Sequence, residues 1–361
     1  MNVPAVTSRD LLTAALEGGT PSRTPLAIYD WCMGAITADQ LREKMREPRW
    51  RRLIDRGLAV RCHCPVTRAI EHGVESSVKE TRQGADVHRT EIKKTPVGTL
   101  QKTSRNRWHQ DNWIKCAEDY RIQQWIVEHT ELVPNYDAPA EAENVVGEDG
   151  IVVVTGAANW MHRTPAMCIN VDWVGTERFC LDLGLELPEL FELYDAEKRL
   201  FLEEQRLIAA APGRYVAWFE NLTAEMLGPR RYGELLMPVY QEAVPIHEAA
   251  GKRVMVHYDG ALRAVAELIA EAPFHIIDSL TEPPEGDMTY DECRTAWPDK
   301  AFWANINVDL YYRSAEQLHE VVLGMCRRAG RPALAFEISE DLPTNWEQSV
   351  PVVLQALEEA N

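Results

Sequence analysis

The chain has 361 residues, of which 45% are hydrophobic, enough for one large barrel or two average domains. Its 38 Lys and Arg against 56 Asp and Glu give a formal charge of −18 with no long basic run, which argues against nucleic acid and anionic membrane as partners. The N-terminus MNVPAVTSRD lacks a signal-peptide pattern, no apolar stretch is long enough for a membrane span, and the eight cysteines show no CxxC, so a cytoplasmic protein with reduced thiols is expected.

In chain order, Thr7 or Ser8 opens a short helix that ends at Gly18-Gly19. TPLAIY (Thr24 to Tyr29) reads as a buried strand ending in Asp30 and Trp31, and LAVRCH (Leu58 to His63) as a second. From Val74 to Arg105 polar and β-branched residues alternate between turn signals, which predicts a two- or three-stranded antiparallel insertion. A helical, aromatic-rich segment is expected from Trp108 to Leu132, so that 74–132 forms a cover on a single domain spanning 1–361. IVVVT (Ile151 to Thr155) is a strand that opens toward Asn159 and Trp160, and YVAWF (Tyr215 to Phe219) is one that ends at Glu220 and Asn221.

The last third repeats one unit. Strands are predicted at Arg253 to Tyr258, Phe274 to Asp278, Ala301 to Ile306 and Pro332 to Ile338, each followed by an amphipathic helix, the last with a Thr344/Glu347 capping box. Eight strands separated by helices favour a closed (β/α)8 TIM-type barrel, with the antiparallel β insertion after the second strand. Chemistry in such barrels sits at the strand ends. Here these ends offer Asp30, Trp31, His63, Asn159, Glu220, Asn221, His257, Asp259, Asp278, Asn305, Asn307 and Glu337.

His257 and Asp259, two apart at the end of RVMVHYDG, can face one site together, either as metal ligands or as acid, base or hydrogen-bond orienter. A purely structural imidazole–carboxylate pair would look the same. Asp287 in PPEGDM is expected to cap the helix at Tyr290, and Ser339, Glu340 and Asp341 to cap the last helix or a nearby loop.

Several segments, among them TPVGTL (Thr95 to Leu100), KCAEDY (Lys115 to Tyr120), FEN (Phe219 to Asn221), PPEGDM (Pro283 to Met288) and EISEDLPTNW (Glu337 to Trp346), resemble the uroporphyrinogen decarboxylase superfamily. That superfamily includes corrinoid-dependent methyltransferases as well as the haem-pathway decarboxylase. The stretch matching the decarboxylase's arginine-rich motif, YDWCMGAI, contains no arginine, so the chain resembles the methyltransferase branch more closely.

Thiol-methylating relatives bind zinc through a His-x-Cys pair and a later cysteine. The matching positions here are His257, Asp259 and, approximately, Glu337, so the resemblance implies zinc or another divalent metal on a harder, oxygen-rich set. The implied activity is transfer of a methyl group from a methoxylated or similar small-molecule donor to a corrinoid carried by a partner protein, because the sequence has no D-x-H-x-x-G corrinoid signature. Glu220, His257, Asp259 and Glu337 are the expected catalytic residues. Asp30, Trp31, Asn159, Trp160, Asn221, Tyr258 and Asn305 are expected to contact substrate. The alternative is a cofactor-independent decarboxylase or lyase of a small acid, held by Arg61, Arg163, Arg263 or Arg313. A homodimer is the default for a barrel of this size.

Overall fold

The computed structural model describes residues 6–158 and 162–360. Eight parallel strands, β1 (Leu26–Tyr29), β2 (Leu58–Pro65), β3 (Gly150–Thr155), β4 (Tyr215–Trp218), β5 (Arg253–His257), β6 (Ile276–Leu280), β7 (Ala301–Ile306) and β8 (Leu334–Ile338), close into a barrel. They follow one another around it in sequence order, and β8 pairs with β1 through Leu26–Phe336 and Ala27–Glu337.

Each strand is buried on both sides, which is why the strands read as apolar runs. Alternation then sorts their residues into two layers. Leu26, Ile28, Val60, Val154, Val216, Trp218, Val256, Phe302 and Phe336 pack outward against the helices. Ala27, Tyr29, Ala59, Val153, Ala217, Met255, Ile276, Trp303 and Ala335 fill the interior. The N-terminal helix Ser8–Leu16, started by a Thr7/Asp10 capping box, sends Leu12, Ala15 and Leu16 into the same inner cluster and packs against β2, β3, β7 and β8.

The insertion is larger in strand count than expected. Glu75–Gln83, Asp86–Thr95, Gly98–Arg105 and Trp108–His109 form a four-stranded antiparallel sheet. Trp108 therefore lies in a strand, and the helix is confined to Ala117–Glu128. A second small sheet, Thr67–Glu71 with Thr130–Pro134, ties the insertion to the barrel. The closing helix starts at Trp346 behind Asn345, with no side-chain cap, so the expected Thr344/Glu347 box does not form. The Thr344 amide instead donates to Tyr312 Oη (3.0 Å).

Candidate functional site at the barrel mouth

The inward positions at the carboxyl ends of the strands carry polar side chains where the lower layers carry apolar ones. Arg61 of β2 stands at the centre, fully buried. Its Nη1 and Nη2 donate to the two oxygens of Asp278 at 2.6 and 2.7 Å, and Nη1 also reaches Glu337 Oε2 at 3.0 Å. Tyr29 Oη donates to Glu337 Oε1 (2.8 Å), and the guanidinium lies over the rings of Tyr29 and Trp303 at 4.6 and 4.4 Å. A buried cation is tolerable when paired and hydrogen-bonded in this way. Burial works against ionising Asp278, yet Arg61 and His257 hold its carboxyl below the ordinary range. Glu337 goes the other way: burial, helped by the Asp278 charge, pushes it up to about 8.

His257, at the end of β5, is also fully buried. Its Nδ1 is 3.4 Å from Asp278 Oδ2, while Nε2 faces the mouth, 3.0 Å from Glu340 Oε1 and 3.8 Å from Asp259 Oδ2. Neither contact is aligned as a hydrogen bond at Nε2. Burial alone would keep the ring neutral, but the nearby carboxylates of Asp259, Asp278 and Glu340 win and raise its pKa well above the imidazole norm. Asp259 is lowered in return: burial opposes its charge, but His257 and Asn221 favour it.

On the β1–β2 side, Asp30 accepts from the His63 amide (2.9 Å) and lies 3.2 Å from His63 Nδ1. Trp31 stacks on Tyr29 with centroids 4.2 Å apart and leans on His63 at 4.4 Å. Phe219 completes an aromatic wall, 5.4 Å from His63 and 5.5 Å from His257. Asn305 faces the same interior, paired with Glu337 in the β7–β8 register, and its Oδ1 is buried without a hydrogen-bond partner. Asn221 follows β4 with φ 48°, a left-handed conformation that asparagine tolerates better than most residues.

Two expected site residues point elsewhere. Phe219 faces inward, so its neighbour Glu220 faces the helices, where it accepts from Thr164 Oγ1 (2.8 Å) and Tyr240 Oη (3.0 Å). Burial pushes Glu220 up to about 7 despite those bonds. Tyr258 is outward for the same reason: its phenol bonds Tyr232 at 3.0 Å and Tyr240 at 2.8 Å, so it cannot face a substrate. Asn159 and Trp160 lie outside the described residues.

The expected metal set is not assembled either. Among the described residues no group of three His, Cys, Asp or Glu side chains is placed to hold an ion. Glu337 is turned onto Arg61 and Tyr29, and the buried guanidinium already supplies a positive charge that Asp278 compensates. The sequence reading undervalued Arg61, Asp278 and His63, which lie at inward positions of β2 and β6, and missed Glu340, which meets His257 instead of capping a helix. Asp287, in turn, accepts from the Leu262 and Arg263 amides and not at Tyr290, whose helix is capped by Thr289 and Glu292.

No family model and no curated protein matches this sequence. Among solved structures, the chain is similar to a methyltransferase from Methanosarcina mazei, at 11% identity over 98% of this chain and 99% of that one, with a TM-score of 0.59. The likeness shows a shared (β/α)8 barrel fold. The tandem GH20 catalytic modules of the pneumococcal exo-β-D-N-acetylglucosaminidase StrH align over 97% of this chain and 86% of that one at 13% identity, but with a TM-score of only 0.43, too low to bear on function. No described helix is long and apolar enough to cross a membrane.

Proposed function

We propose that the chain is an enzyme that moves a methyl group from the oxygen of a small methoxylated donor to a reduced corrinoid carried by a partner protein. The observation that carries this reading is His257: fully buried at the end of β5, its pKa raised well above the imidazole norm, and with Nε2 lying beneath the partly exposed carboxylates of Asp259 and Glu340. A methyl ether leaves poorly unless its oxygen is protonated or otherwise polarised. His257 supplies that proton. The methyl–oxygen bond breaks, the Nε2 proton passes to the leaving oxygen, and the alcohol departs.

Each neighbour has a defined task. Asp278 orients His257 through Nδ1, and Arg61 fixes Asp278 from the other side. Asp259 and Glu340 keep the ring charged. Trp31 and Phe219 wall the mouth, and the Asn305 carboxamide oxygen accepts from the donor molecule. The corrinoid supplies the nucleophile that takes the methyl group. The step is assigned to the proton on His257, which Asp259, Asp278 and Glu340 favour there.

The lyase alternative needs an arginine to hold a substrate carboxylate, and the four arginines it would use are engaged. Arg61 is saturated by Asp278 and Glu337, and Arg163 donates to Asn221. Arg263 pairs with Glu292 and Arg313 with Asp309.

The test is a turnover assay of the purified chain with cob(I)alamin and a panel of methoxyarenes, following loss of the Co(I) absorbance and release of the phenol. His257→Gln is expected to lower kcat by about 10²-fold or more, the usual scale for removing a general acid. Stoichiometric metal in the active wild type, lost in Asp259→Ala, would overturn the proton assignment in favour of a Lewis acid.

A further inference from the structure

A separate cavity of about 1240 Å³ lies outside the barrel interior, between the insertion sheet, the helix Ala117–Glu128 and the segment that follows β3. Its size exceeds that of most small-molecule sites. The charges of the sheet wall are matched one to one: Lys93 lies 2.6 Å from Glu71, Arg89 3.2 Å from Glu80, and Lys102 3.7 Å from Glu91. On the facing wall Asp172 lies 3.4 Å from Arg163. A charged ligand would be stripped of water here without gaining an unpaired partner, so the cavity favours a neutral one.

What the cavity leaves unmet is hydrogen-bonding capacity, most of it N–H. Gln123, on that helix, is only 3% exposed and lines the cavity. Its carboxamide makes no hydrogen bond among the described residues, and neither its oxygen nor its nitrogen is sealed from the cavity as Asn170 Oδ1 and Asp172 Oδ2 are. Trp113 and Trp173, each 9% exposed, repeat the pattern: both line the cavity, and each indole N–H is open and without an acceptor among the described residues. Buried indoles and carboxamides normally find partners. Trp218 and Trp297 do, donating to Gln205 and to the Ala266 carbonyl. The Lys102 ammonium, 5.0 Å from the centre of the Trp113 ring, is paired with Glu91 by charge alone, at 3.7 Å, so its N–H groups are also unspent.

We propose that this cavity binds a neutral small molecule with a ring-sized apolar body and carbonyl-type oxygen acceptors. The body lies against Trp113 and Trp173, and the oxygens accept from their indole N–H groups, from the Gln123 carboxamide and from Lys102. The assignment stands apart from the methyl-transfer reading, because none of Arg61, His257 and Asp278 lines the cavity.

The experiment is a calorimetric titration of the full chain at pH 7.5 and fixed ionic strength with N,N-dimethylbenzamide, a neutral ring that carries an oxygen acceptor and no N–H. Benzoate and benzylammonium, the same ring with either charge, are the comparisons. N,N-dimethylbenzamide is expected to bind one to one and at least about tenfold more tightly than either ion. Lys102→Met and Trp113→Phe each remove donors while keeping an apolar side chain in place, and each should weaken it by at least about threefold, the scale of one hydrogen bond. An ion that binds as tightly as the amide, the absence of saturable amide binding, or undiminished binding in both variants would overturn the proposal, the last by placing the probe elsewhere on the protein. Should one variant fail to fold, the other decides together with the three probes on the wild type.

Discussion

Arg61 cannot stay charged in the barrel interior without partners, and it explains why Asp278 and Glu337 adopt opposite protonation. Two carboxylates beside one guanidinium share a single compensating charge: Asp278, bonded at both oxygens, stays ionised, and Glu337 keeps its proton. Removing one partner from such a cluster strands the other charge. Asp278→Ala is therefore expected to cost about 3–5 kcal/mol, read as a lower urea midpoint at pH 7.

Glu337 and Glu220 also set a pH dependence. Both have folded pKa values, about 8 and about 7, raised above the usual 4.5. A raised value means the contribution to stability is complete below pH 4.5 and is lost as pH climbs through the folded value. Stability should therefore fall between about pH 5 and pH 8. Glu220→Gln should flatten the lower part of that slope, by up to ~3 kcal/mol at pH 7.5, as measured by urea unfolding across the range.

At the scale of elements, strand alternation decides which residues meet. His257 and Tyr258 are adjacent in sequence, yet one enters the acid cluster and the other enters a tyrosine network behind the barrel wall. The same holds for Phe219 and Glu220. The run RVMVHYDG thus showed where a strand ends and what chemistry it carries. Face assignment needed the neighbouring strands, because both faces of these strands are buried and the hydrophobic pattern no longer marks one as solvent.

Strand pairing has its own constraint at Gly150, which opens β3 beside Val60 of β2. A Cβ there would collide with the Val60 carbonyl and amide backbone. Backbone cannot swing aside as a side-chain end can, so Gly150→Ala should lower the thermal midpoint by several degrees or prevent soluble expression. Gly18→Ala meets no atom within 4 Å and carries only the cost of its positive φ, which makes it the milder comparison.

The charge of the molecule is unevenly distributed. From Glu75 to Lys115 the insertion carries nine Lys and Arg against five Asp and Glu, whereas the chain as a whole is −18. The barrel body therefore holds more than the whole net negative charge, and its self-repulsion opposes the compact state. Screening should relieve it: raising NaCl from 20 to 500 mM is expected to raise the thermal midpoint by a few degrees. The Arg61 cluster, closed to solvent, should contribute little to that change.

Composition and periodicity determined the barrel, its eight strands, the place of the insertion and the strand-end residues, because those follow from local alternation between β and helical patterns. They also placed His257 beside Asp259. Only the tertiary structure decided that Glu337 belongs to Arg61, that Glu220 and Tyr258 face away from the mouth, and that Glu340 reaches His257 from the loop after β8. Those outcomes depend on closing the sheet, which brings β2, β6 and β8 around one interior. The partners Arg61, Asp278 and Glu337 are more than 200 residues apart, or nearly 60, along a chain whose local pattern cannot specify which of them will meet.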